Sequence, residues 1–225
     1  NIAKHVAVQE HKPTVIFSLE MGAEELIERI VASEGMVPGY HLKTGNLSTD
    51  EWKRIVQAQS NLYDTPIFVD DTAGIRISEI RSKARKLSQE MGSLGIIIID
   101  YLQLITGSKG ENRQQIVSEI SRELKILAKD LKVPVIALSQ LSRSVEQRQD
   151  KRPMLSDLRE SGSIEQDADI VAFLYRDAYY QKEQADSQEA NNVTELILEK
   201  NRHGSLGTVK LYFHKEYTKF SSVEG

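Results

Sequence analysis

The chain has 225 residues, 40% of them hydrophobic and 28% charged, enough for one sizeable α/β domain with a buried core. It contains no cysteine, which excludes a disulfide scaffold, a thiolate zinc site and a cysteine nucleophile, and no apolar run long enough to span a membrane. Lys and Arg number 29 against 33 Asp and Glu, a net charge of -4, so the protein is not coated in positive charge, although a local basic channel remains compatible with that balance. Nothing at the amino end resembles a secretory leader, and the cytoplasm is the expected location.

Asn1 to His11 reads as the end of a helix with no capping residue in front. Domains rarely begin in mid-helix, so further residues are expected upstream. The apolar run Thr14 to Ser18 is a short buried strand bounded by Pro13. Residues 23 to 34 form a helix with Leu26, Ile27, Ile30 and Val31 on one face. A second helix runs from Thr49 to Leu62, where Trp52, Ile55, Val56 and Gln59 recur at helical spacing. Ser48 to Glu51 supply its cap and early negative charge. Pro66 to Asp70 is another strand. Residues 77 to 91 are an amphipathic helix with apolar positions at Ile77, Ile80, Ala84, Leu87 and Met91. Its cations Arg76, Arg81, Lys83, Arg85 and Lys86 read as a solvated face rather than a nucleic-acid site.

Gly95 to Asp100 is the strongest strand, four consecutive isoleucines with no polar alternation. Such a strand must be covered on both faces, as at the centre of a parallel sheet. A long helix from about Gln114 to Leu131 leads into the apolar run Val133 to Ser139. Strand and helix in alternation predict a doubly wound, mostly parallel α/β sheet. Ala168 to Leu174, Val193 to Glu199 and Thr208 to Phe213 are strand-like runs joined by loops, and they predict an antiparallel carboxyl-terminal edge. Gln181 to Asn192 is polar and reads as a loop. No repeat or low-complexity tract is present.

In an open α/β sheet, ligands bind beyond the carboxyl ends of the strands. Three predicted strands end in polar residues suited to phosphate chemistry: Glu20 after the first, Asp100 after the isoleucines, Gln140 after Ser139. An Asp following a hydrophobic strand is often only a turn or cap residue. In a nucleotide-hydrolysing sheet the same carboxylate holds magnesium-bound water. A neighbouring Glu can orient or deprotonate an attacking water, and a neutral Gln can sense a γ-phosphate by hydrogen bonding. Lys200 and Arg202, two apart at a strand end, project to the same side if the strand continues through them. They read either as a charged hairpin or as a pair reaching a neighbouring subunit's γ-phosphate. The connection from Leu141 to Asp167 is rich in Arg, and Ser161 to Ser163 can offer backbone N–H groups to an anion. The five histidines show no metal-ligand spacing.

Taken together, FSLEM at 17 to 21, GIIIIDYLQLI at 95 to 105, VPVIALSQLSR at 133 to 143, DLRESGSIEQDADIVAFLYR at 157 to 176 and EKNRHG at 199 to 204 resemble the carboxyl-terminal ATPase domain of bacterial replicative DNA helicases, the DnaB family, with its RecA-like fold. The match covers nearly the whole chain, in order. The resemblance implies one RecA-like domain over 1–225 and an ATP- and Mg²⁺-dependent motor. It further implies a homohexameric ring moving 5′-to-3′ on single-stranded DNA at the bacterial replication fork, with primase and a helicase loader as partners and no membrane. By position it makes Glu20 the catalytic glutamate, Asp100 the magnesium-holding aspartate and Gln140 the γ-phosphate sensor. Lys200 and Arg202 become the pair donated in trans, and Arg159, Glu160 and Gly162 the DNA-holding loop. Phe213 lies where related ring helicases place an aromatic against adenine. The family's phosphate loop, G-x-x-x-x-G-K-[ST], does not occur in these residues, so the domain is expected to be truncated in front, without that loop and the primase-binding domain, and inactive by itself. Two rivals stand beside this reading: a RecA- or RadA-type recombinase ATPase, and a non-catalytic helicase remnant that binds DNA or partners.

Overall fold

A computed structural model describes residues 1–107, 112–158, 162–177 and 192–223. In chain order these form α1 (Ile2–Val8), β1 (Thr14–Ser18), α2 (Ala23–Gly35), α3 (Gly39–Thr44), α4 (Thr49–Leu62), β2 (Ile67–Asp70), α5 (Ile77–Met91) and β3 (Ile96–Asp100). They continue with α6 (Arg113–Leu131), β4 (Val135–Ala137), α7 (Ser144–Gln147), α8 (Gly162–Asp167), β5 (Ile170–Tyr175), β6 (Val193–Asn201), β7 (Gly207–His214) and β8 (Lys219–Ser222).

The first half builds the parallel sheet expected of its apolar runs, in the order β2-β1-β3-β4. β1 is buried along its whole length and Phe17, Ile97 and Ile99 are fully enclosed, so the two central strands are covered on both faces. Helices α5 and α6 contribute Ile80, Ala84, Val117, Ile120, Leu124 and Leu127 to the same core. Each fully enclosed aliphatic or aromatic side chain of this kind stabilises the fold by about 1.5–3 kcal/mol. Gly95 opens β3 where any Cβ would stand 2.5 Å from the Lys12 Cβ and 2.8 Å from a Val6 methyl, which fixes how closely the end of α1 lies on the sheet.

The second half differs from the expected edge. Its strands form a four-stranded antiparallel sheet of their own, β5-β6-β7-β8, including a final strand that the sequence pattern did not predict. Phe173, Val171 and Ile197 fill its inner face with Leu158. Polar Gln181 to Asn192 falls almost entirely outside the described residues.

Two helices turn other faces inward than periodicity suggested. On α4 the buried positions are Glu51, Ile55 and Ala58, whereas Trp52 is 58% exposed and Val56 50%. Ile55 and Ala58 pack with Val31 and Val37 beside α2, so α4 is oriented by its small and branched residues. On α2 the same packing buries Val31 and leaves Ile27 exposed. The expected cap of α4 is present as a full capping box: the Ser48 hydroxyl accepts from the Glu51 N–H at 3.2 Å and Glu51 accepts from the Ser48 N–H at 2.8 Å. The Ser48 N–H first, then His41, hold the Glu51 carboxyl at a pKa of about 2.

Candidate nucleotide-hydrolysis site

The parallel register places three of the predicted residues at one end of one sheet. Ser18 stands opposite Asp100 on β3, and the Leu19 N–H donates to the Asp100 carbonyl at 2.8 Å. β1 therefore leaves the sheet hydrogen-bonded to the aspartate. The Ser18 hydroxyl then donates to the Met21 carbonyl at 2.8 Å, closing the turn that carries Glu20. Glu20 is exposed at this tip.

The electrostatics follow from that placement. Burial raises the Asp100 pKa above the usual aspartate value, the charge of Glu20 raises it further, and Arg29 of α2 pulls it down. Two carboxylates thus share a strand-tip site whose nearby cation does not fully compensate them. Arg29 also donates to Glu25 one helical turn back, at 3.0 Å. Sequence reading missed Arg29. The available signal was its place nine residues after Glu20, on the helix that the strand tip leads into.

The strand before Gln140 is shorter than the apolar run suggests. β4 pairs with β3 over Val135 to Ala137, and main-chain pairing extends one residue further, with the Leu138 N–H donating to the Ile99 carbonyl at 2.9 Å. Beyond it, Gln103 in the 3₁₀ turn Leu102–Leu104 takes over as partner of Gln140. Gln103 is the second residue missed from sequence.

Lys200 and Arg202 come from the other sheet. β6 runs through Lys200 to Asn201, and both cations do turn to one side. The Lys200 ammonium donates to the Glu165 carbonyl and, at 3.3 Å, to the Gln166 carbonyl. Arg202 donates to the same Gln166 carbonyl and to the Asp169 carboxylate at 3.3 Å. Lys125 of α6 binds Asp169 as well and, as the first cause, holds its carboxyl below the ordinary value. Within this chain the pair therefore sits on the carboxyl end of α8. Gly162 is the first residue of α8 and is exposed, whereas Arg159 and Glu160 lie outside the described residues. Phe213 is half-buried in β7, its ring 4.7 Å from that of Phe220 and 5.2 Å from the Arg176 guanidinium.

The cations of α5 are paired, Arg81 with Glu123, Lys83 with Asp70 and Arg85 with Asp130, in keeping with a solvated structural face. Among the described residues no three His, Cys, Asp or Glu side chains are grouped to hold a metal, and no helix is long and apolar enough to cross a membrane.

A family model for the DnaB-like helicase C-terminal domain matches residues 1–222. The chain belongs to that family. It is 59% identical to the replicative DNA helicase DnaC of Bacillus subtilis and 58% identical to the replicative DNA helicase DnaB of Geobacillus stearothermophilus, in each case over the whole chain and 49% of the relative. The chain thus spans about half the length of these relatives. Among solved structures it superimposes on an isolated ATPase domain with a TM-score of 0.92 and 43% identity, covering 99% of this chain and 78% of that one. It matches a DnaB-like replicative helicase studied with primase equally well, with a TM-score of 0.92 and 44% identity, over 99% of this chain and 53% of that one. The RadB recombinase shares the fold at 13% identity and a TM-score of 0.55, which leaves the recombinase reading with the fold alone.

Proposed function

We propose that this domain is the motor of a replicative DNA helicase, coupling ATP hydrolysis to 5′-to-3′ movement on single-stranded DNA and to duplex unwinding at the bacterial fork. The observation that carries the reading is the β1–β3 register, which joins Glu20 and Asp100 at adjacent strand tips with Gln140 one strand away.

In this reading Glu20, exposed at its turn, orients a water and accepts its proton as the water attacks the γ-phosphorus. Asp100 stays ionised and accepts hydrogen bonds from the water shell of Mg²⁺. The donor set fits that ion, because Mg²⁺ keeps several waters and takes one or two carboxylates plus substrate phosphates rather than an all-protein cage. When bound, Mg²⁺ neutralises charge developing on the phosphates. Gln140 donates to a γ-phosphate oxygen through its carboxamide. Lys200 and Arg202 leave α8 to serve the nucleotide of the next subunit in a homohexameric ring, and Phe213 packs against adenine. Single-stranded DNA follows the loop of Arg159, Glu160 and Gly162, with contacts to phosphates rather than base edges. The missing phosphate-loop pattern means that the 225 residues alone do not hydrolyse ATP. The motor is the longer protein, acting in the cytoplasm with primase and a loader as partners.

Strand displacement by the full-length protein tests this. A forked duplex with a 5′ single-stranded arm should be unwound in the presence of ATP and Mg²⁺, and one with only a 3′ arm should not. Unwinding from the 3′ arm alone, or hydrolysis with no unwinding of either substrate, would overturn it.

A further inference from the structure

At the exit of β3 the chain turns away from the sheet through the 3₁₀ turn Leu102–Leu104. The last main-chain bonds joining the two strands there run from the Leu138 N–H to the Ile99 carbonyl at 2.9 Å and from the Leu102 N–H to the Leu138 carbonyl at 3.0 Å. Past Leu138 the neighbouring strand has no backbone left to pair with, yet Gln140 lies two residues further on, where a long polar connection begins. A side chain that must meet a phosphate oxygen has to be held to about 0.5 Å, and an unpaired strand end does not provide that.

Gln103 supplies the missing partner. Its carboxamide oxygen accepts from the Gln140 N–H at 3.2 Å, and its carboxamide nitrogen donates to the Gln140 carbonyl at 3.2 Å and to the Ser139 hydroxyl at 2.9 Å. A primary amide offers the donor and acceptor of a peptide group, so the Gln103 side chain stands in for the strand residue that the 3₁₀ turn removed. Gln103 is itself anchored. Leu102 beside it is 2% exposed, and the Gln103 carbonyl accepts from the Arg113 guanidinium at the start of α6. Both backbone groups of Gln140 are consumed by Gln103, whereas the Gln140 carboxamide makes no hydrogen bond among the described residues and is left for a ligand.

We infer that Gln103 is a positioning residue for the γ-phosphate sensor: by pairing with the backbone of Gln140 it joins that tip to the Asp100 segment, so that the two move as one unit. This rests on the proposed role of Gln140. It also predicts a specific chemistry. Glutamate at 103 can still accept the Gln140 N–H but has no proton to give to the Gln140 carbonyl or to Ser139.

Steady-state ATP hydrolysis by the full-length protein, with and without single-stranded DNA, tests the inference in four variants: Gln103→Ala, Gln103→Glu, Gln140→Ala and the Ala–Ala double. Misplacement of a reacting group by about 1 Å costs up to about 10²-fold, so Gln103→Ala should lower kcat about 10- to 100-fold with the KM for ATP within about twofold. Gln103→Glu should fall between Gln103→Ala and the parent, with an unchanged melting temperature, and the double variant should be no slower than Gln140→Ala alone. Losses that multiply in the double variant would mean that Gln103 acts independently of Gln140 and would overturn the inference. So would a parental kcat for Gln103→Ala beside an impaired Gln140→Ala. A parental rate for Gln140→Ala would instead remove the sensor role itself, and the inference with it.

Discussion

At the tips of the parallel sheet, Glu20, Asp100 and Gln140 stand on strands pinned by register and core, and their side chains are left with charge or hydrogen-bonding capacity to spare. At the end of the antiparallel sheet, Lys200 and Arg202 are the reverse case: both cationic groups are engaged, on the Glu165 and Gln166 carbonyls and on Asp169. The first region stores its cost in place, as an aspartate made basic by burial and by a like charge. The second is at rest within its own chain and acts only by exchanging these partners for others. An exposed pair such as Arg202–Asp169, with both side chains nearly half open to water, is weakly held and suited to exchange. Preorganised tips and a releasable pair are what a motor needs if hydrolysis at one subunit is to depend on its neighbour.

The comparison breaks most visibly at Arg202. If it is released to a neighbour's nucleotide, Arg202→Ala should reduce ATP turnover of the full-length protein by roughly 10³ to 10⁵. Mixing with subunits whose own phosphate loop is broken but whose Arg202 is intact should restore part of that rate. A loss of only a fewfold, with no rescue in mixtures, would leave Arg202 as a cap on α8.

How far the two regions could be read from sequence differs for the same physical reason. The parallel sheet was legible because a strand covered on both faces must be continuously apolar, and the residue at which apolarity stops marks the tip: Ser18, Asp100 and the end of the Val133 run. The antiparallel strands were found individually, but their assembly into a separate sheet depends on which strands pair, and half-exposed strands such as β5 carry no signal for that. Trp52 and Val56 misled because helical spacing shows that residues share a face without saying which face is covered, and Ile55 with Ala58 decided it. Gln103 and Arg29 were invisible for another reason. One acts through side-chain-to-backbone hydrogen bonds and the other through the rotation of α2, and neither leaves a periodic or compositional trace.

A smaller effect sharpens the comparison at the parallel tips. Burial first, and then Glu20, make ionised Asp100 costly, so the folded protein binds its proton more tightly than the unfolded chain does. Stability then falls as pH rises from the ordinary aspartate pKa through the raised one. Asp100→Asn removes that cost. It should raise the melting temperature at neutral pH by a few degrees at most, since the carboxyl is half open to water, and the gain should vanish in acid below the ordinary aspartate pKa. Thermal melts of both proteins across that pH range check this, and an equal gain at every pH would show that the charge is not the cause. ATP turnover by Asp100→Asn should fall although the fold is firmer.

The central claim is that the strand tip bearing Glu20 is where ATP is hydrolysed, and Glu20→Gln tests it most directly because the change removes a proton acceptor while keeping shape and leaving the strand intact. Nucleotide affinity and single-cycle hydrolysis should be measured together on the full-length protein. General-base catalysis contributes about 10²- to 10⁴-fold, so the variant should bind ATP with near-parental affinity and hydrolyse it at least about 10²-fold more slowly. Near-parental hydrolysis by Glu20→Gln would contradict the account.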